Sequence, residues 1–169
     1  MSAPEVWLRG PLPDYIDELQ PVAHSLLQVR EEIGRAAHVP LEQLWARPGG
    51  AASIGFHLQH LAGSLDRLLT YAAGRQLNAA QYEYLSSEAQ ATTEPAEVLV
   101  RRTQDAIDRA LAYVRTTPLC TLDEHRDVGR DRLPSTVLGL LFHAAEHAQR
   151  HSAQIITTAK VLSGNRTPS

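Results

Sequence analysis

The sequence contains a single cysteine, no excess of basic residues and no long apolar run. Because Cys120 has no second cysteine to pair with, it cannot form an internal disulfide, which favours a reducing compartment. The 16 Lys and Arg residues and 19 Asp and Glu residues give a formal charge of −3. This charge disfavours non-specific nucleic-acid binding. No segment resembles a signal peptide or a membrane span, so we expect a cytoplasmic protein that binds neither nucleic acid nor membrane.

Several catalytic motifs are also missing. In the string HAQRH, Ala148 takes the place of the glutamate that the zinc-protease motif HExxH requires. A ferritin-like di-iron site needs a glutamate three residues before a histidine, but Ala144 and Ala148 precede His147 and His151 at that spacing. The chain has no glycine-rich phosphate loop and no GxSxG nucleophile motif. The histidines are therefore the main candidates for chemistry.

Four segments have apolar residues at helical spacing, whereas none has the alternation typical of a strand. The predicted helices extend over residues 14–37, 53–73, 94–116 and 134–162. Ser53 is expected to cap the second helix, and Pro134 and Ser135 are expected to begin the fourth. Four amphipathic helices of about five to seven turns predict an all-α fold, a four-helix bundle.

The remaining segments are predicted to be polar connectors. Residues 76–91 and 126–132 are expected to be solvated loops, with a pocket mouth as the alternative interpretation. The chain over residues 1–169 is predicted to be one domain, with a frayed tail over residues 164–169.

Five of the eight histidines lie on two predicted helices at helical spacing. On the second helix, His57 and His60 lie beside the buried apolar face. On the fourth, His143, His147 and His151 follow one another at steps of four. Two histidines at i and i+4 can reach one metal ion, and a third from a facing helix leaves a coordination position open. The pattern predicts a metal site, and the alternative is a set of buried, hydrogen-bonded histidines.

The strings SIGFHLQHLAGSLDRLL (53–69) and LFHAAEHAQRHSAQI (141–155) resemble the DinB/YfiT-like superfamily of bacterial four-helix-bundle proteins. The resemblance covers nearly the whole chain. It implies that His60, His147 and His151 hold a divalent metal, most often zinc or nickel. Ser152 and Ala153 replace the Arg-Gly that usually follows the last ligand in the family, a difference that concerns packing and not the ligands.

The spacing alone leaves the ligand on the second helix open, because His57 lies nearer the centre of the apolar face than His60 does. The resemblance selects His60, and His57 is kept as the alternative ligand. His143 is expected to line the pocket or to support a ligand. Gln154 is expected to hydrogen-bond a ligand ring or a bound water, and Glu146 to be solvated or to lie at a dimer contact.

The resemblance also implies a homodimer, and its characterised members include thiol-dependent transferases and isomerases. We expect a metal-dependent thiol S-transferase or hydrolase, in which the metal activates a thiol or a water for attack on a small electrophile. A low-molecular-weight thiol is the expected cosubstrate, and no side chain is assigned as catalytic. The alternatives are a non-catalytic, stress-related protein that binds a metal or small ligand, and a structural bundle whose histidines are merely buried.

Overall fold

The computed structural model describes residues 4–164. Its helices are α1 (Gln20–Ala36), α2 (Leu41–Leu44), α3 (Ile54–Ala72), α4 (Ala79–Ser87), α5 (Ala96–Thr116) and α6 (Val137–Gly164). Two strands, β1 (His125–Val128) and β2 (Leu133–Thr136), form an antiparallel hairpin between α5 and α6. Short 3₁₀ helices lie at Val6–Arg9, Asp17–Leu19, Pro48–Gly50 and Leu119–Thr121. Among the described helices, none combines the length and apolar character needed to traverse a bilayer.

The four long helices, α1, α3, α5 and α6, form a bundle around one apolar core. Helices α1 and α3 each pack against both α5 and α6, so the first two long helices lie diagonally across the bundle. The largest fully buried side chains come from the four long helices, from α2 and from the 3₁₀ turn before α1: Leu19, Leu26, Ile33, Leu44, Ile54, Leu58, Leu61, Leu65, Leu99, Ile107, Leu141 and Ile155. The all-α four-helix-bundle prediction is confirmed.

Helix α3 has well-defined ends. The Ser53 hydroxyl accepts a hydrogen bond from the backbone N–H of Phe56, which satisfies one of the free donors of the first turn. At the other end, Gly74 has a φ of 71°, and the backbone N–H groups of Gly74 and Arg75 donate to carbonyls of the last turn. A glycine adopts this left-handed conformation without strain and allows the helix to end in a Schellman motif. The predicted cap at Ser53 is therefore confirmed.

The first predicted helix, residues 14–37, begins too early. Asp14 has a φ of 66°, which is incompatible with a right-handed helix, and residues Asp17–Leu19 form a 3₁₀ turn. Helix α1 then begins at Gln20, with Pro21 in its first turn, where the missing N–H breaks no helical bond. The predicted bounds of the second and third helices differ from those of α3 and α5 by at most two residues.

The hairpin was not predicted. Residues 126–132 lie entirely within it. Pro134 and Ser135, expected to begin the fourth helix, instead pair with Asp127 and Arg126 across the two strands. A two-stranded sheet has only edge strands, so a proline is tolerated there. Helix α6 consequently begins three residues later than expected, at Val137.

The segment 76–91, predicted to be a loop, contains α4. Asn78 and Gln81 form a capping box at its start, each side chain bonding to the backbone of the other residue. Helix α6 continues to Gly164, two residues beyond its predicted end. Apart from Gly164, the predicted frayed tail lies outside the described residues.

Candidate metal centre

Three histidines converge where α3 packs against α6. One ring nitrogen from each of His60, His147 and His151 lies within 4.8 Å of the other two. Nε2 of His60 lies 3.1 Å from Nε2 of His147. Two nitrogen ligands bound at about 2.0–2.1 Å to a tetrahedral ion lie about 3.3–3.4 Å apart, so this spacing fits a shared metal. The structure thus brings together the three residues that the resemblance selected.

The ring of His60 is oriented by Glu88, which comes directly after α4. Nδ1 of His60 lies 2.8 Å from Oε2 of Glu88, a residue only 3% exposed. When Nδ1 donates its proton to this carboxylate, Nε2 keeps a free lone pair that faces His147. Metal-binding histidines commonly make such a bond through their second nitrogen. The residues around His60 therefore fit a metal ligand.

Glu88 is itself held firmly against α3. Arg67 donates a hydrogen bond to Oε1 of Glu88, and the side-chain amide of Gln59 donates to its backbone carbonyl at 2.9 Å. A Cβ at position 63 would overlap Oε1 of Glu88 and approach the ring of Tyr84 to 2.7 Å. Glycine at position 63 thus permits the carboxylate to reach His60.

Sequence reasoning missed Glu88, and the sequence contains no signal that could have found it. The residue lies in a polar segment without apolar periodicity, 28 residues after its partner His60. Only the packing of α4 onto α3 brings the two side chains together.

His57 contacts the third histidine of the group. Its Nδ1 lies 2.8 Å from Nδ1 of His151, and a proton on Nδ1 of His151 completes a hydrogen bond between the two rings. That tautomer leaves Nε2 of His151 free to bind a metal. His57 therefore supports His151 in the same way that Glu88 supports His60, which favours a positioning role over that of alternative ligand.

The other predicted residues lie at the edge of the site. The ring of His143 lies 5.4 Å from that of His147, and its Nδ1 bonds to Glu146 at 2.7 Å. Glu146 also pairs with Arg150, so it is engaged within α6. Gln154 is exposed, and among the described residues it makes no hydrogen bond to the three histidines.

His147 and His151 are electrically neutral at pH 7. Burial, followed by the charge of neighbouring imidazoles, lowers the pKa of His147 to about 4 and that of His151 to about 3. The pKa of His57 is lowered by the same two causes. Because neutral imidazole is the form that binds metals, these rings are ready to act as ligands at neutral pH.

A cavity of about 480 Å³ opens beside the cluster. His60 and His147 line part of it, and α3, α4 and the hairpin loop supply the other walls. Its volume lies within the range of small-molecule sites, about 300–1,000 Å³. The predicted polar connectors 76–91 and 126–132 both contribute residues to it, and His143 lines it as expected.

The sequence profile of the DinB superfamily matches residues 18–155. Among solved structures, YfiT from Bacillus subtilis superposes with a TM-score of 0.66 at 17% identity, over 91% of this chain and 93% of YfiT. YfiT is described as a probable metal-dependent hydrolase with an unusual four-helix bundle topology. A DinB-like protein from Bacillus cereus ATCC 10987 superposes with a TM-score of 0.65 at 14% identity, over 94% of this chain and 99% of that one. No match was found among curated proteins.

Proposed function

The chain belongs to the DinB superfamily, and on that basis we propose that it is a metal-dependent enzyme whose divalent ion is held by His60, His147 and His151. The observation that carries the proposal is the convergence of three ring nitrogens within 4.8 Å. Three protein ligands with one open position are typical of catalytic zinc sites, whereas structural sites are closed by a fourth. Imidazole suits both zinc and nickel.

The proposed reaction is the attack of a water or a low-molecular-weight thiol on a small electrophile. A divalent ion bound at the three histidines would supply Lewis-acid chemistry and lower the pKa of that water or thiol. The description of YfiT as a probable metal-dependent hydrolase supports the hydrolytic form. The adjacent cavity provides room for the electrophile.

The protein's own residues prepare the ligands. Glu88 is placed to accept the Nδ1 proton of His60. When His57 likewise accepts a proton from Nδ1 of His151, both rings present Nε2 in the tautomer that binds a metal. Burial keeps His147 and His151 neutral, which avoids a proton that would compete with the ion.

The test is turnover by protein loaded with zinc or with nickel. The electrophiles are a chromogenic aryl ester, with water as the nucleophile, and 1-chloro-2,4-dinitrobenzene, with cysteine as the thiol. We expect turnover of at least one pair that is lost in His147→Ala and retained in His38→Ala, an exposed histidine at the end of α1. Stoichiometric metal binding without turnover of either pair would favour the alternative, a non-catalytic metal-binding protein. The homodimer and the cytoplasmic location stay predictions.

A further inference from the structure

The cavity beside His60 and His147 has an apolar wall. Side chains from α3, α4 and the segment between them supply it: Leu68, Tyr71, Leu77, Tyr82 and Leu85. Apart from the hydroxyls of the two tyrosines, these side chains are hydrocarbon, so the wall is suited to an apolar group of a ligand.

Among the described residues, the charged side chains that line the cavity are arginines. No Asp or Glu is among its lining residues, whereas Arg67 and Arg130 both are. Arg67 is neutralised by its ion pair with the buried Glu88. In the described part of the chain, Arg130 has no carboxylate within ion-pairing distance, and a divalent ion held by the three histidines would add further positive charge. A negatively charged group on a ligand would therefore balance the positive charge at this cavity.

Arg130 is held at the cavity by its surroundings. Its guanidinium lies 5.0 Å from the centre of the Tyr82 ring, a cation–π contact. The hairpin that carries it is attached to the end of α3, because Nε of Arg126 donates to the carbonyl of Ala72 at 2.7 Å. Arg130 is exposed, and this contact places its guanidinium next to the apolar wall.

We propose that this cavity binds a small apolar molecule that bears a carboxylate, with its hydrocarbon body against the leucines and its carboxylate on Arg130. The inference rests on the proposed function for one point, which is that the reactive group of the molecule lies beside His60 and His147. Hydrocarbon burial and a charge-assisted hydrogen bond then select substrates that carry both features.

The experiment compares two probes of nearly equal size, 4-phenylbutanoate and 4-phenylbutan-1-ol, by titration calorimetry against zinc-loaded and metal-free protein. We expect the carboxylate to bind about three- to tenfold more tightly than the alcohol. In metal-free protein, where no ion can attract the carboxylate, Arg130→Gln removes this preference. The matched control is Arg132→Gln, in the same hairpin loop, which pairs with Asp127 and does not line the cavity, so it retains the preference.

The results separate this proposal from the proposed function. In metal-free protein, equal affinities of the wild type for the two probes, or a preference that survives Arg130→Gln, would overturn the assignment of Arg130 even if the metal binds. If metal-free wild type prefers the carboxylate to the alcohol and metal-free Arg130→Gln does not, the cavity assignment is supported even if zinc fails to bind. Leu85→Gln changes a residue of the apolar wall, and we expect it to weaken the binding of both probes by a similar factor.

Discussion

Nδ1 of His60 lies 2.8 Å from a carboxylate oxygen of Glu88, in hydrogen-bonding geometry. The other nitrogen of the same ring, Nε2, lies 3.1 Å from Nε2 of His147. One side of the ring is thus tied to a buried acid, while the other faces a second histidine. This arrangement is the common one for a metal-binding histidine, and it makes the role of Glu88 directly testable.

Replacing Glu88 should weaken metal binding without abolishing it. In Glu88→Gln, the amide oxygen can still accept from His60, but the negative charge that increases the basicity of the ring and balances Arg67 is lost. We expect the dissociation constant for zinc to rise by about 10–100-fold, measured by competition with a chromophoric chelator. Glu83→Gln, an exposed position on α4, should bind zinc like the wild type. If folded Glu88→Gln binds zinc as tightly as the wild type, Glu88 does not support the metal ligand His60.

Gly63→Ala should disturb the contact between Glu88 and His60 by changing a residue that packs against Glu88. The added methyl group would overlap the carboxylate of Glu88, so this side chain must move away from His60. Overpacking of this kind costs about 1–3 kcal/mol in the free energy of unfolding, and we expect weaker zinc binding to accompany it. Urea denaturation and the chelator competition measure the two effects.

The matched control for Gly63→Ala is Gly34→Ala on α1. There the new methyl group meets only the amide end of Gln104, at 2.9 Å, and this flexible group can turn aside by giving up its hydrogen bond to the carbonyl of Arg30. Because alanine is the better helix former by up to about 1 kcal/mol, this gain offsets the lost bond and stability should change little. Equal destabilisation of both variants would indicate a general cost of adding Cβ atoms and not a specific clash with Glu88.

The metal-free protein should lose stability in acid through its buried histidines. An unfolded histidine binds a proton below about pH 6.5, whereas the pKa values of His147 and His151 are about 4 and about 3 in the folded state. The unfolded state therefore binds more protons as the pH falls below 6.5. Each ring lowers the free energy of unfolding by up to about 1.4 kcal/mol per pH unit until its folded pKa is reached.

Urea denaturation of the metal-free protein at pH 7 and pH 5 measures this loss. His147→Gln/His151→Gln should lose less stability over this interval than the wild type does, and His38→Gln should behave like the wild type. An identical loss in the wild type and the double variant would show that these histidines do not titrate as described.

The parts of the fold that could be predicted are those with local signals. The long helices show apolar periodicity, and Ser53 stands where a cap is preferred, so α3 was predicted within one residue at each end. The turn at Asp14 was missed because an aspartate adopts a positive φ in only a minority of cases, so the residue type alone does not predict it. The hairpin was missed because each strand has only four residues and one contains Pro134.

In the candidate site too, some residues could be predicted from the sequence and others could not. The spacing of His147 and His151 points to one face of a helix, and the resemblance chose His60 over His57. The supporting residues depend on tertiary contacts that have no pattern in the sequence. Glu88 reaches His60 only because α4 packs on α3, and Arg130 reaches Tyr82 only because the hairpin lies against the end of α3.

Metal binding by histidine variants tests the central claim most directly. The number of zinc or nickel ions per chain and their dissociation constants would be measured for untagged protein and for alanine variants of His60, His147, His151, His57 and His38. We predict one ion per wild-type chain, its loss in the first three variants, weaker binding in His57→Ala and no change in His38→Ala. A wild type that takes up neither metal, or a His60→Ala variant that binds as tightly as the wild type, would contradict the three-histidine site.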